Sequence, residues 1–341
     1  MSALYDLELQ RVIEEVNERG SRRILLQLPD GLRPLAIRLA AEIRLGTGAQ
    51  VILSGDSCYG ACDLASRQAE EVGADLLVHY GHSRMMDDGT IPVIYVVAEV
   101  KVDAGLIVES LLPRLGSWRR LGLATTVQHV HALPALAAEL AGRGYEAHVG
   151  EGDGAAPHPG QVLGCHYGSA LRVAGDADAF LFIGGGRFHP LGLALSTGKP
   201  VVAADPYDGS VTVIRPEELM GLARRRYAGV LALRGAERVG ILVSSKPGQR
   251  ALAAADELER RLRERGAEAA IMYMDEARAE HLNNFSEAQV FVAAACPRVA
   301  LDGVAGVDRP ILTVAEAYVA LGDLAWEDAW GAGILGRPLG F

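Results

Sequence analysis

The chain has 341 residues, half of them hydrophobic, with 40 glycines and 15 prolines. This length and composition predict a globular protein of two or three domains with a sizeable buried core. A formal net charge of −10 argues against direct nucleic-acid binding, which needs clustered lysine and arginine. The first residues lack the apolar core of a signal peptide, and no run reaches the roughly 18 apolar residues of a membrane span. We therefore expect a cytoplasmic protein that has no membrane partner.

The chain begins with a predicted amphipathic helix between Asp6 and Gly20, and three similar blocks follow. The first block is predicted to contain Ile24–Leu28, Leu32–Ile43, Val51–Ser54, Cys62–Val72, Leu76–His79 and Val93–Val97. The second is predicted to contain Leu121–Val127, Leu133–Leu140, Ala147–Val149, Tyr167–Val173, Ala179–Ile183 and Pro200–Ala204. The third is predicted to contain Val239–Val243, Arg250–Arg265, Ala269–Tyr273, Ala277–Phe285, Val290–Ala294 and Ile311–Val314.

Strands and helices alternate within each block, which is typical of parallel α/β units. We expect an α/β fold of three similar Rossmann-like parallel-sheet domains arranged around a central site. The predicted domains are residues 1–112 with the N-terminal helix, 113–225, and 226–341 with the C-terminal segment. The predicted linkers are Leu111–Arg120 and Arg215–Glu237.

Four cysteines are the first candidates for chemistry. In a reducing compartment, scattered cysteines seldom form disulfides, so metal ligation, catalysis or simple burial is favoured. Cys62, Cys165 and Cys296 each follow the carboxyl end of a predicted parallel strand, where open α/β sheets place their ligands. If those three edges face one cavity, the three thiolates can bind a single iron–sulfur cluster.

Six motifs resemble those of the diphthamide synthase family, in the order of that family, between about Ile24 and Tyr318. They are CYGACDLA at 58–65, HYGHS at 79–83, LGCHYG at 163–168, GGGRFHPLG at 184–192, KPGQ at 246–249 and ACPR at 295–298. Individually the short glycine motifs would be weak, but the set is specific. The resemblance implies three α/β domains, a homodimer as in archaeal members, and one cysteine per domain on a [4Fe–4S] cluster.

Matched motif by motif, the implied cluster ligands are Cys62, Cys165 and Cys296. The resemblance implies that S-adenosylmethionine binds the iron that three thiolates leave open. It also implies the first step of diphthamide biosynthesis: an external donor supplies an electron, the bond between sulfur and Cγ breaks, and a 3-amino-3-carboxypropyl radical adds to a histidine of elongation factor 2. The enzyme is then a transferase, 2-(3-amino-3-carboxypropyl)histidine synthase.

Two other interpretations remain open at this point. One is a non-catalytic subunit that retains the cluster as a scaffold or electron-transfer component of such a complex. The other is a quinolinate synthase-like cluster enzyme, which shares the general plan but none of the motifs.

Cys58 is the cysteine without an implied role. Cys58 and Cys62 match the first two cysteines of the CxxxCxxC signature, but Ala65 occupies the third position. No local three-cysteine loop can therefore form here. Cys58 is interpreted as a residue beside the site, with a role as an alternative fourth ligand left open.

Several further residues are candidates for the S-adenosylmethionine pocket. Gly184, Gly185 and Gly186 follow a predicted strand and lack the spacing of a dinucleotide fingerprint, so they are expected to line the pocket, with a tight turn as the alternative. Arg187 and His189 are expected to hold the methionine carboxylate or orient the sulfonium, although His189 also fits a structural role.

A second set of candidates follows the strands of the third block. Lys246, Gln249 and Arg250 surround a glycine-containing turn that suits an anion such as a carboxylate, and Arg298 beside Cys296 fits the same role. An ordinary helix cap is the alternative.

Two other groups have simpler interpretations. His79, Tyr80 and His82 are expected to form a wall of the central cavity, because two histidines in an extended segment and a turn impose no zinc geometry. The run Arg224–Arg226 is expected to be a solvated surface.

Overall fold

The computed structural model describes residues 4–86 and 89–336. Its elements follow the three predicted blocks. The first block contains β1 (Tyr5–Asp6), α1 (Leu9–Arg19), β2 (Arg23–Gln27), α2 (Ala36–Thr47), β3 (Gln50–Leu53), α3 (Ser66–Glu71), β4 (Leu76–Tyr80), β5 (Val93–Val96), β6 (Glu99–Val100) and α4 (Ala104–Leu115). The second contains β7 (Arg120–Thr125), α5 (Leu133–Ala141), β8 (Glu146–His148), α6 (Gly168–Val173), β9 (Ala179–Ile183), α7 (Phe188–Thr197), β10 (Val201–Ala204), β11 (Val211–Ile214) and α8 (Pro216–Arg234). The third contains β12 (Arg238–Ser244), α9 (Leu252–Glu264), β13 (Glu268–Met274), α10 (Ala279–Leu282), β14 (Val290–Ala294), α11 (Pro297–Leu301), β15 (Ile311–Thr313), α12 (Val314–Leu321), α13 (Trp326–Ala329) and α14 (Ala332–Leu335).

Each block forms its own sheet, and the three sheets share one strand order. The orders are β3-β2-β4-β5, β8-β7-β9-β10-β11 and β13-β12-β14-β15. Apart from β11, which pairs antiparallel with β10, the strands of these three sheets are parallel. In each of these sheets the first strand along the chain (β2, β7 or β12) lies between the second and the third. Loops that follow equivalent strands therefore leave from equivalent edges.

The inner strands explain why each sheet is stable. Every residue of β4, β9 and β14 is buried, as expected for parallel strands that are covered on both faces. Short 3₁₀ helices follow β2, β7 and β12, at Asp30–Leu35, Val127–Ala132 and Pro247–Gln249. The predicted α/β fold with several parallel sheets is confirmed.

The first predicted linker is helical in its first half, and the second is helical over most of its length. α4 continues to Leu115, and α8 spans 19 residues between the second and third sheets. α8 starts with Pro216 at its first turn and with two acidic side chains, Glu217 and Glu218, near its positive N-terminal end. Only three of its residues are buried, so the periodic hydrophobic pattern in its sequence is too weak to predict a helix. The proposed domain limits at 112/113 and 225/226 fall inside these two helices.

The arginine run on α8 is also not uniformly solvated. Arg224 and Arg225 are exposed, whereas the Arg226 side chain is 13% exposed and forms an ion pair with the fully buried carboxylate of Glu316. Arg226 also donates to the carbonyls of Ala300 (2.7 Å) and Ile311 (2.9 Å). Arg226 thus ties α8 to the third sheet.

We expect Arg226→Met to lower the free energy of unfolding by about 2 to 3 kcal/mol, because it removes hydrogen bonds to a buried charged group. The backbone N–H and the hydroxyl of Thr313 still donate to Glu316, at 2.7 Å and 3.0 Å, which limits the loss. Urea unfolding followed by circular dichroism measures the change. The matched control is Arg225→Met on the exposed face, which should change the stability by less than about 0.5 kcal/mol. Equal effects from the two variants would contradict the assignment.

None of the helices in the described ranges combines the length and the hydropathy that a membrane span requires.

Candidate metal centre

Three of the four cysteines lie at the carboxyl edges of three different sheets. Cys62 lies between β3 and α3, Cys165 lies between β8 and α6, and Cys296 is the N-cap of α11 directly after β14. Each side chain is half-buried. Burial raises the pKa of the Cys296 thiol to about 12; the Arg298 backbone N–H opposes the rise, and Cys62 and Cys165 add to it as negative neighbours. The fold therefore brings together the three sulfurs that the sequence predicted as ligands.

The spacing of these sulfurs is informative. A single-ion site brings its donor atoms within 4.8 Å of one another, and among the described residues the group that meets this limit does not contain Cys62, Cys165 or Cys296. Cys62 and Cys165 both act on Cys296 electrostatically, yet the three thiols do not form a single-ion group, which is the spacing that a larger inorganic centre would require. The donor set is also suitable, because thiolates are the usual ligands of iron–sulfur clusters.

The surroundings of Cys62 are built by the third block. The Nε2 amide of Gln249 donates to Cys62 Sγ at 3.4 Å, and the Gly248 N–H donates to the Cys62 carbonyl at 2.9 Å. A Cβ on Gly248 would lie 2.7 Å from Cα and Cβ of Cys62 and 2.6 Å from Sδ of Met86. The 3₁₀ turn of the third block is therefore pressed against the cysteine loop of the first, and only glycine fits at the contact.

We expect Gly248→Ala to displace the Cys62 loop and to reduce cluster occupancy. Overpacking of this kind costs about 1 to 3 kcal/mol of stability. The added methyl group would displace Cys62, which is a predicted cluster ligand. Iron and sulfide content after anaerobic reconstitution measures the effect. Gly175→Ala is the matched control, since a Cβ there meets no atom within 4 Å. Full iron content in Gly248→Ala would show that the close approach is unimportant.

A buried ion pair joins the same two blocks. Lys246 Nζ lies 2.9 Å and 2.8 Å from the two carboxylate oxygens of Asp63, and the two side chains are 6% and 8% exposed. Burial raises the pKa of Asp63, and its pairing with Lys246 opposes that rise. Lys246 is thus occupied by Asp63, which differs from its predicted role in binding an external carboxylate. Arg250 donates to the Ser245 carbonyl at 2.7 Å and also serves the turn itself.

The triple-glycine turn after β9 has a conformation that glycine favours. Gly184 has φ 146° and Gly186 has φ 76°, and the Gly186 N–H donates to Asp205 Oδ2 at 3.4 Å. A Cβ on Gly185 would lie 3.3 Å from the same Asp205 oxygen. Arg187 forms an exposed ion pair with Glu218 at 3.1 Å. This turn is therefore fastened to its own sheet, and Arg187 faces the surface.

His189 and Arg298 occupy the space between the second and third blocks. The Arg298 guanidinium lies 3.9 Å from the ring centroid of Phe188 and pairs with Asp302 at 2.8 Å. Burial, together with smaller contributions from the nearby Arg298 and His82, lowers the pKa of His189 to about 4. The His189 ring stacks on Phe182 with centroids 5.9 Å apart. His189 is therefore a half-buried imidazole whose neutral form is favoured and that neighbours residues of the other two blocks.

A pocket of 410 Å³ opens beside Cys296. Gln249 and Arg298 are the predicted cofactor-binding residues among those that line it, whereas the glycine turn, Arg187 and His189 are absent from its lining. Asp275 and Glu276 line the pocket as well. The structure thus divides the predicted pocket residues into two groups, those that line this pocket and those that do not.

Three contributors to the site escaped sequence reasoning. Gln27 accepts from the Ala65 N–H at 3.1 Å and donates to the Asp63 carbonyl at 2.7 Å, so it holds the cysteine loop from β2. Gly248 and Asp63 lie inside the KPGQ and CYGACDLA motifs, next to the predicted site residues. Their position within those motifs was the available signal. Gln27 carried none, because a single glutamine in a strand is unremarkable.

Comparisons with known proteins agree with this geometry. The family model "Putative diphthamide synthesis protein" matches residues 28–331. The chain is 38% identical over 323 residues to 2-(3-amino-3-carboxypropyl)histidine synthase of Pyrococcus horikoshii, which covers 94% of this chain and 91% of that protein. It is 32% identical over 333 residues to 2-(3-amino-3-carboxypropyl)histidine synthase subunit 1 of Gallus gallus, covering 96% and 79% of the two chains.

A solved structure extends the similarity to the fold. The crystal structure of Dph2 from Pyrococcus horikoshii with a 4Fe-4S cluster superposes with a TM-score of 0.85 at 37% identity, over 99% of this chain and 96% of that one. The chain therefore belongs to the family of diphthamide synthesis proteins.

Proposed function

We propose that this chain transfers the 3-amino-3-carboxypropyl group of S-adenosylmethionine to a histidine of elongation factor 2 by a radical route. The enzyme class is that of its relatives, 2-(3-amino-3-carboxypropyl)histidine synthase, which acts in the first step of diphthamide biosynthesis. The observation that carries the proposal is the meeting of Cys62, Cys165 and Cys296 from three sheets in a fold shared with a 4Fe-4S protein.

We assign the three thiolates as the ligands of a [4Fe–4S] cluster. The centre is composed of three half-buried thiols, and the Gln249 amide donates to one of them. Three protein ligands on four irons leave one iron without a protein ligand, which is where S-adenosylmethionine would bind. When bound, the cluster supplies the electron that cleaves the sulfur–Cγ bond. Hydrogen bonds to cluster sulfurs tune its potential, so Gln249 is placed to do so.

The 410 Å³ pocket beside Cys296 is the proposed site for the amino acid part of S-adenosylmethionine. Arg298 offers a cation for the carboxylate, and Asp275 and Glu276 offer anions for the ammonium group. Burial favours the neutral form of His189, so His189 can contact a sulfonium without charge repulsion. Gly184, Gly185 and Gly186 would form the opposite wall. Arg187 has the weakest support, because it does not line this pocket, whereas Arg298 lines it even though it also pairs with Asp302.

The proposed partners are elongation factor 2 as protein substrate, an external electron donor, and a second copy of this chain, all in the cytoplasm. An apolar stripe on α8 supports the homodimer: Met220, Tyr227 and Leu231 fall on one helical face and are 56%, 36% and 51% exposed. We take this face as the candidate interface, because exposed apolar side chains that share one face can mark an interaction surface.

We expect Leu231→Glu to shift the chain from dimer to monomer, because it places a charge within the α8 stripe. Light scattering of the purified protein measures the mass. Leu45→Glu is the control, since Leu45 is 90% exposed on α2 and outside the stripe. A variant that remains dimeric would exclude this face as the interface.

Transfer of label tests the function directly. The full chain, reconstituted anaerobically with iron and sulfide, is mixed with dithionite, elongation factor 2 and S-adenosylmethionine labelled in its aminocarboxypropyl group. We expect label on the factor. A cluster-loaded chain that transfers no label would instead be the non-catalytic scaffold or electron-transfer subunit. Turnover of iminoaspartate would indicate the quinolinate synthase-like alternative.

A further inference from the structure

A second group of potential metal ligands lies close to the three cysteines and shares none of them. One donor atom from each of Cys58, His79 and His82 lies within 4.8 Å of the other two. Cys58 is 5% exposed and His79 is fully buried. Within the described ranges, this is the group of histidine, cysteine and carboxylate side chains that has the spacing of a single-ion site.

The orientation of His79 is set by residues outside the group. Gln27 donates its amide to the Asp63 carbonyl at 2.7 Å, so its Oε1 faces the opposite way and accepts from the Ala65 N–H at 3.1 Å. The same oxygen lies 2.8 Å from His79 Nδ1. Nδ1 must therefore carry the proton, which leaves the lone pair of His79 on Nε2. Nε2 faces the other two members of the group.

His82 is held in a similar way. Its ring donates a hydrogen bond to the Tyr80 carbonyl, so one nitrogen is engaged by the backbone. The Nδ1 of His82 lies 3.0 Å from His79 Nε2. Histidines that bind metals commonly donate their other N–H to a carbonyl or carboxylate oxygen, which fixes the tautomer. Both rings have an acceptor of this kind.

The third donor is a thiol, and it decides the metal class. Burial and the nearby Asp63 raise the pKa of the Cys58 thiol to about 12, and the Gly60 N–H, which donates to the sulfur, opposes that rise. A bound cation would be needed to hold this sulfur as the thiolate. Zn²⁺ takes imidazole nitrogen at about 2.0 Å and thiolate sulfur at about 2.3 Å, so its tetrahedral ligands lie about 3.3 to 3.8 Å apart. His79 Nε2 and His82 Nδ1, at 3.0 Å, would have to move slightly apart to admit the ion. Two imidazoles and one thiolate are a suitable set for a borderline-soft divalent ion.

We propose that Cys58, His79 and His82 bind one zinc-class divalent ion beside the three cluster cysteines. The fourth position would be taken by a water molecule or an exogenous ligand, as in zinc sites with three protein ligands. The ion neutralises one thiolate and ties the Cys58–Cys62 loop to the end of β4. Cys58 is then a ligand of this ion rather than of the cluster.

The site can be tested in the full chain without a cluster. In the variant with Cys62, Cys165 and Cys296 all changed to serine, Co²⁺ titration should give one ion per chain, with the absorption of tetrahedral Co²⁺ and a thiolate-to-metal charge-transfer band. Adding Cys58→Ser should abolish that band. Adding Gln27→Leu should weaken Co²⁺ binding by about 10- to 100-fold, the effect of removing an outer-shell partner. His281→Gln, an exposed histidine on α10, is the matched control.

The cluster-loaded chain gives a second measurement that does not depend on the triple variant folding. Elemental analysis should find about one zinc per chain besides the cluster iron, and Cys58→Ala should remove the zinc and leave the iron unchanged. Loss of iron from Cys58→Ala would identify Cys58 as a cluster ligand and overturn the proposal. Absence of stoichiometric Co²⁺ binding, or a spectrum that is indifferent to Cys58→Ser, would also overturn it.

Discussion

Changing Cys62, Cys165 or Cys296 to alanine is expected to reduce iron from about four per chain, the content of one [4Fe–4S] cluster, to near background. Each substitution removes one of the three proposed ligands, which come from the loops of three different sheets. The remaining cysteine, Cys58, is not positioned to replace it, because its sulfur faces His79 and His82. Transfer to elongation factor 2 should be lost together with the iron.

The matched control is Cys58→Ala, in which about four irons per chain should be retained. Iron and sulfide analysis with the anaerobic absorption spectrum gives the comparison. The ligand assignment is wrong if the loss of Cys58 empties the centre while the loss of Cys62 leaves it intact.

Lys246→Met is expected to lower the free energy of unfolding by about 3 to 5 kcal/mol, the usual effect of removing one partner from a buried ion pair. The Asp63 carboxylate, whose side chain is 8% exposed, then keeps the hydrogen bond from the Tyr59 N–H at 3.2 Å but has lost its cation. Because Asp63 follows Cys62, we also expect weaker cluster retention. Urea unfolding and iron content measure the two effects.

The double variant Asp63→Leu with Lys246→Met separates charge burial from packing. Removing both charges should recover much of the lost stability, since well-packed apolar pairs often replace buried ion pairs without loss. If the double variant is as unstable as the sum of the single variants, the two side chains act independently.

The sequence predicted the features that follow from periodicity and strand ends. Three alternating blocks predicted an α/β fold, which the three parallel sheets confirm. The predicted helix Arg250–Arg265 is α9, in which Ala255, Leu258 and Leu262 are buried at helical spacing, whereas Leu252 at the first turn is 46% exposed. Three of the four cysteines could be singled out from the sequence alone, because ligands bind at the carboxyl ends of parallel strands.

The remaining features depend on contacts between blocks, which no local pattern encodes. Lys246 looked free to bind an anion because its partner Asp63 is distant along the chain. Arg226 looked solvated within a charged run because Glu316 lies in another sheet unit. His79 and His82 imposed no metal geometry by themselves, and the third donor, Cys58, comes from a different loop. In each case tertiary packing supplied the partner.

The most direct measurement is the Mössbauer spectrum of the full chain reconstituted anaerobically with ⁵⁷Fe. With three protein thiolates on a [4Fe–4S] cluster, one iron has no protein ligand. S-adenosylmethionine should change the signal of that iron, about a quarter of the total, and leave the signals of the other irons unchanged. A cluster whose irons all remain unchanged when S-adenosylmethionine is added would contradict the account.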